Sequence, residues 1–139
     1  VGEAGSRDKE FIDYSMFDVY MGQLVELIGR SDVVKDLKYI VGIPRGGLPI
    51  AVHLSHYLKI DLENPNFLGR DEYEHTLIVD DIAHTGDTLQ HYKSLGFIYS
   101  ATLFYKESSL IEPTFYVKEA TKWIVFPWEK EDEVPNRPE

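Results

Sequence analysis

The 139-residue chain has no cysteine, which excludes disulfides and thiolate metal sites. No apolar stretch approaches the ~18 residues needed to span a bilayer, and no segment has the pattern of a signal peptide. A soluble cytoplasmic protein with no membrane partner is the expectation. Internal repeats and low-complexity blocks are also missing. Basic residues are scarce, with 14 Lys and Arg against 24 Asp and Glu, for a net charge of −10. Such a field disfavours a nucleic-acid partner, which usually needs a basic stripe. It also repels polyanions unless the site is locally positive or a divalent cation screens them. Part of the charge lies in 129–139, which carries several acids and two prolines. Mobility is expected at both ends, over 1–8 and 132–139. The length suits a single domain spanning 1–139 and is too short for two ordinary ones.

What is present is periodicity. Ser15 followed by Asp18 resembles a capping pair, and Phe17, Tyr20, Met21, Leu24, Leu27 and Ile28 recur at helical spacing up to Gly29 and Arg30. Residues 38–43 read as a buried strand stopped by Pro44. Residues 48–58 read as a helix that tolerates Pro49 in its first turn and packs through Ile50, Ala51, Leu54 and Leu58. After a polar loop come a strand at 76–79, a helix at about 88–95, a strand at 101–105, and β-like runs at 114–117 and 123–126. Alternation of strand and helix predicts an α/β fold with a parallel sheet flanked by helices. Ligands of such sheets sit beyond the carboxyl ends of the strands. The turns at Pro44-Arg45-Gly46-Gly47 and Asp80-Asp81 are both at such ends and are expected to face one cleft.

The densest signal runs from Thr76 to Thr88. A β-forming run delivers Asp80 and Asp81 to a strand end, and Ala83-His84-Thr85-Gly86-Asp87-Thr88 forms a turn of small and hydroxyl residues before the next helix. Backbone N–H groups of such a turn, with the positive end of a helix dipole, make an anion cradle beside two acids. A sugar phosphate needs both parts: donors for phosphate, and carboxylates for hydroxyls or a bound Mg²⁺. A solvated strand end, or the Mg²⁺ pocket of a receiver domain with Asp81 as phosphoacceptor, are the competing readings. A receiver does not explain Thr85-Gly86-Asp87-Thr88.

The stretch resembles the signature with which type I phosphoribosyltransferases bind phosphoribosyl pyrophosphate (PRPP): an apolar strand, two acids, two or three small residues, then Thr-Gly-x-Thr. The resemblance implies the type I phosphoribosyltransferase fold with a small C-terminal hood. It implies that Asp80 and Asp81 hold the ribose hydroxyls, one of them through Mg²⁺, while residues 83–88 cradle the 5-phosphate. Pro44-Arg45-Gly46-Gly47 is similar to the pyrophosphate loop of the family, with Arg45 and Gly46 as binding residues and a cis peptide expected between them. An ordinary glycine turn with a solvated arginine is the plain alternative.

Two later segments narrow the substrate. Lys106 follows Leu103-Phe104-Tyr105, and Trp123-Ile124-Val125-Phe126-Pro127-Trp128-Glu129 follows Lys122. Together they resemble xanthine-guanine phosphoribosyltransferases and their relatives. That likeness implies that Lys106 donates to a purine 6-oxygen, that Trp123 stacks on the base, and that main-chain groups around Trp123 and Ile124 read its edge. It further implies that Glu129, with Asp81, serves Mg²⁺, and that the enzyme is a homodimer or homotetramer. Trp128 reads as packing. The implied reaction joins PRPP to guanine, xanthine or hypoxanthine and releases pyrophosphate.

Two features depart from the family pattern. His84 stands where an aspartate usually takes the base proton. A histidine, with an ordinary pKa near ~6.5, suits that task, or merely lines the turn. The second departure is 59–75, which is short where the family carries a further strand and a long mobile lid. Tyr73 or Arg70 are candidates to substitute. A missing lid fits slower transfer, hydrolysis of PRPP, a lid from a partner subunit, or a non-catalytic PRPP or nucleotide sensor on the same fold. His53 and His56 lie three apart on one helix, but with no third ligand visible an ordinary helical surface is the better reading.

Overall fold

Among residues 8–130, which the computed structural model describes, every strand pairing is parallel. The ends expected to be mobile, apart from Asp8, lie outside the described residues. The main sheet has the order β3-β2-β4-β6, formed by β2 (Tyr39–Gly42), β3 (Asp61–Leu62), β4 (Thr76–Val79) and β6 (Tyr99–Ala101). All four residues of β4 are buried, as a parallel strand covered on both faces requires. Side chains alternate between the faces. Ile40, Leu77 and Val79 join one apolar cluster, while their neighbours Val41 and Ile78 join another.

Helix α1 (Tyr14–Arg30) and helix α2 (Gly47–Leu58) cover the first face. Helix α1 buries Phe17, Met21, Leu24 and Ile28, and α2 buries Ile50, Ala51 and Leu54. Helix α3 (Asp87–Leu95) covers the second face through Leu89, beside Phe97. Among the described residues no helix is long and apolar enough to cross a membrane.

At the carboxyl ends of the strands the sheet bends. β4 breaks at Asp80-Asp81 and resumes as β5 (Ile82–Ala83); β6 breaks at Thr102-Leu103 and resumes as β7 (Phe104–Tyr105), which pairs with β8 (Lys118–Glu119). The break is stitched by Asp80 N–H to Ala101 O at 3.1 Å, and by Leu103 and Phe104 N–H to Asp81 O at 3.1 and 3.2 Å. A separate ladder of β1 (Lys9–Phe11) and β9 (Trp123–Val125) forms the hood.

Several expectations are corrected. The cap of α1 is Asp13, whose Oδ1 accepts from Met16 N–H at 2.8 Å, so Ser15 already lies inside the helix. Leu27 is 46% exposed because it projects off the buried stripe. The strand expected over 101–105 is two pieces, since Thr102 turns its hydroxyl onto Phe104 O at 2.7 Å opposite the Asp80-Asp81 break. Around 114–117 only Phe115 bridges, to Ala101. There the Thr114 side chain takes Ser100 N–H at 3.0 Å, competing with a ladder. β1 and β3 are too short to show a period.

The segment 59–75 is folded. It leaves β2 early, with Glu63 N–H on Ile40 O at 2.8 Å, and turns back through short 3₁₀ turns at Pro65–Phe67 and Arg70–His75. Tyr73 stacks on Phe97 (4.1 Å, 18°), and Lys38 N–H donates to His75 O at 2.7 Å. Arg70 and Tyr73 are therefore at the amino ends of the strands, away from the cleft expected at the carboxyl ends.

Candidate active site

The two turns predicted to share a cleft are in direct contact. Ile43 N–H donates to Val79 O at 2.9 Å, so β2 and β4 run in register up to the turns. A Cβ on Gly46 would collide with the Asp81 carboxylate, and one on Gly47 with the Val79 carbonyl. Only glycine permits this approach. Asp80 and Asp81 are 1% and 2% exposed. Their carboxylates are aimed by backbone: Asp81 N–H donates to Asp80 Oδ1, and Ile82 N–H to Asp81 Oδ1, each at 2.8 Å. Arg45 is exposed on the facing turn. The cis peptide is Pro44–Arg45, one residue before the expected Arg45–Gly46. Gly46 already has helical dihedrals (φ −66°, ψ −28°) as the N-cap of α2, so the turn is complete before it.

Beyond the acids, Ala83 lies in β5, and its carbonyl accepts from Lys106 N–H at 2.9 Å. Thr85 Oγ1 accepts from Asp87 N–H at 3.2 Å, and Gly86 has φ 87°. A Cβ on Gly86 would sit 2.6 Å from Leu110 N and Ser109 Oγ. Leu110 N–H donates to Thr85 O at 2.8 Å, so the 109–111 segment braces the turn from behind. Thr85 and Asp87 are exposed and Thr88 half-buried at the start of α3, where the first-turn amides have no intrahelical acceptor.

The residues expected to read a base converge here as well. Lys106 Nζ is 3.3 Å from His84 Nε2, and the His84 ring meets Trp123 at 5.2 Å and 67°. Trp123 is half-buried, and its Nε1 is buried with no hydrogen-bond partner in the structure. Ile124, the middle residue of β9 in the hood, is buried. Glu129 turns its Oε1 onto Phe126 N–H at 2.9 Å, closing the turn after β9. Trp128 packs as expected, stacked on Phe126 (5.1 Å, 11°) and edge-on to Phe17 (5.2 Å). Among the described residues no group of three or more acidic or histidine side chains is gathered for a metal. His53 Nδ1 lies 2.7 Å from Pro49 O, and the ring meets Phe17 edge-on.

One neighbour of the site escaped the sequence. The Tyr92 phenol on α3 is pushed above its ordinary pKa by burial, and further by the negative charge of Asp80. It lies five residues into the helix that the turn launches. Only the helical repeat after Asp87 carried a signal for it.

No protein-family profile matches the chain, and no curated protein sequence matches it. Solved structures do match. Purine phosphoribosyltransferase from Pyrococcus horikoshii Ot3 is 32% identical over 88% of this chain and 95% of that one, with a TM-score of 0.73. Helicobacter pylori xanthine-guanine-hypoxanthine phosphoribosyltransferase is 23% identical over 93% of this chain and 97% of that one, with a TM-score of 0.76. A hypothetical protein from Neisseria gonorrhoeae with bound ppGpp is 18% identical over 93% and 94%, with a TM-score of 0.66. The last two similarities establish a shared fold.

Proposed function

The chain belongs to the type I phosphoribosyltransferase family and is an enzyme of that kind, and from that premise we propose that it transfers the phosphoribosyl group of PRPP to a 6-oxopurine. The observation that carries this reading is the meeting of Lys106, His84 and Trp123 beside the buried Asp80-Asp81 pair. A flat base gains affinity from the indole face, and its 6-oxygen gains a charge-assisted bond from the Lys106 ammonium. The name of the Pyrococcus relative, a purine phosphoribosyltransferase, agrees with that chemistry.

Under this proposal each residue takes one role. Asp80 and Asp81, each held at one oxygen by backbone N–H, accept from the ribose hydroxyls. Backbone from Ala83 to Thr88, with the hydroxyls of Thr85 and Thr88, binds the 5-phosphate. Arg45 and the Gly46 backbone hold the pyrophosphate. His84 takes the imidazole proton of the base as its ring nitrogen attacks the anomeric carbon. Two buried, hard carboxylates, with no group of three acidic or histidine side chains gathered among the described residues, fit Mg²⁺, which is usually bound by one or two carboxylates plus substrate oxygens and water. Asp81, and Glu129 at a second ion, are the residues assigned to it. When bound, Mg²⁺ neutralises charge on the departing pyrophosphate.

The test is nucleotide formation from PRPP and Mg²⁺ with guanine, xanthine, hypoxanthine and adenine in parallel. Product with the 6-oxo bases and not adenine is expected. PRPP binding without product from any base would overturn the proposal in favour of a sensor.

A further inference from the structure

The contact between Lys106 and His84 does more than bring two side chains together. An ammonium has donors and no acceptor. At 3.3 Å, Lys106 Nζ donates to His84 Nε2 in the tautomer that carries the ring proton on Nδ1. The nitrogen that would take the proton of the base is thus occupied by a cation in the resting enzyme. A protonated His84 beside that ammonium would be two like charges in contact, so the resting pair also opposes proton transfer.

We infer that Lys106 and His84 form a substrate-operated switch: the purine 6-oxygen draws Lys106 away from His84 Nε2 and only then frees it as the base. This rests on the proposed transfer to a 6-oxopurine and adds to it a second level of selection. A 6-amino group offers N–H where an acceptor is needed, and a bare C6–H offers nothing. Such bases leave Lys106 on His84 and meet a blocked base, so discrimination appears in kcat as well as in KM. In the permitted step purine N9 attacks C1 of PRPP, and the C1–O bond breaks with its electron pair leaving on pyrophosphate. The N7 proton passes to His84 Nε2, and the imidazolium later returns it to solvent. Trp123 lies edge-on to His84, with ring centroids 5.2 Å apart, and packs against the ring that takes part in this exchange.

The switch makes an opposing pair of predictions for Lys106→Met, which keeps the bulk and removes the charge. With hypoxanthine, kcat/KM falls. With unsubstituted purine, which has no 6-group, kcat rises roughly tenfold or more over wild type, because the base is no longer occupied. A lysine that served only as a donor to the 6-oxygen would leave purine turnover unchanged, and one that served only to shape the site would lower it; either result overturns the switch. Should the variant bind purine too weakly for kcat to be read, ¹⁵N resonances of the His84 ring in ligand-free enzyme decide the matter. The Nε2 signal is expected to shift between wild type and Lys106→Met, and identical signals overturn the contact. Wild-type enzyme that transfers to no base would instead overturn the underlying reading, so the two failures are distinguishable.

Discussion

The two halves of the cleft are built by different means. On the proposed phosphoribosyl side, backbone sets the geometry: Gly46 lies against the Asp81 carboxylate, Gly47 against the Val79 carbonyl, and Asp80 and Asp81 are each aimed by the next N–H. On the base side, three side chains from separate segments, His84, Lys106 and Trp123, meet across the cleft with contacts at their tips. The first half should tolerate no added atom, while the second should tolerate substitution in structure and lose selectivity.

The largest effects are expected on the backbone-built side. Asp80→Asn combined with Asp81→Asn, or Arg45→Ala, should cut turnover by ~10²-fold or more, measured as nucleotide formed from PRPP; near wild-type rates would remove these residues from the site. Gly46→Ala should approach the same loss, since its Cβ must displace the Asp81 carboxylate. An active Gly46→Ala enzyme would break the contrast between the halves.

Lys106→Ala should lower kcat/KM for 6-oxopurines by ~10–100-fold, the worth of a hydrogen bond to a charged group, while PRPP binding is spared. Equal loss of both would mean that the base side also shapes the phosphoribosyl side. A smaller loss is expected from Trp123→Leu, ~1–2 kcal/mol in the affinity for the base, read from KM with PRPP saturating.

The smallest effect belongs to the far end of the sheet. Gly69 N–H, donating to Glu72 Oε1 at 2.9 Å, and then the Tyr39 hydroxyl hold the Glu72 carboxyl below its ordinary value of 4.5. A depressed carboxyl stabilises the fold fully above its unfolded pKa and loses that contribution as pH falls through the folded one. Glu72→Gln should therefore lower Tm at neutral pH, with the gap to wild type closing in acid below about pH 4.5. Turnover at neutral pH should not change. A loss of activity would connect 59–75 to the cleft after all.

The strand, acid pair and turn of 76–88 were largely legible in the chain because these parts are consecutive. Strand β4 falls on the expected residues, and α2 and α3 begin within one residue of expectation. The short strands β1 and β3 were not legible, because two or three residues show no period and are defined by their partners. The bend that splits 101–105 was hidden for a related reason. It answers the break at Asp80-Asp81 on the neighbouring strand, a cause that lies far away in sequence.

By itself, then, the sequence determined the alternation of strand and helix, the acid-turn-helix segment and the pairing of two glycines with Arg45. Each depends on backbone preferences and side-chain periodicity acting over one or two turns. Tertiary structure decided that Gly46 abuts Asp81, that 59–75 folds back toward the amino ends of the strands, and that Lys106 rests on His84 under Trp123. Those facts depend on where parallel strands place their ends and how the sheet bends there, and no local rule of the chain contains either.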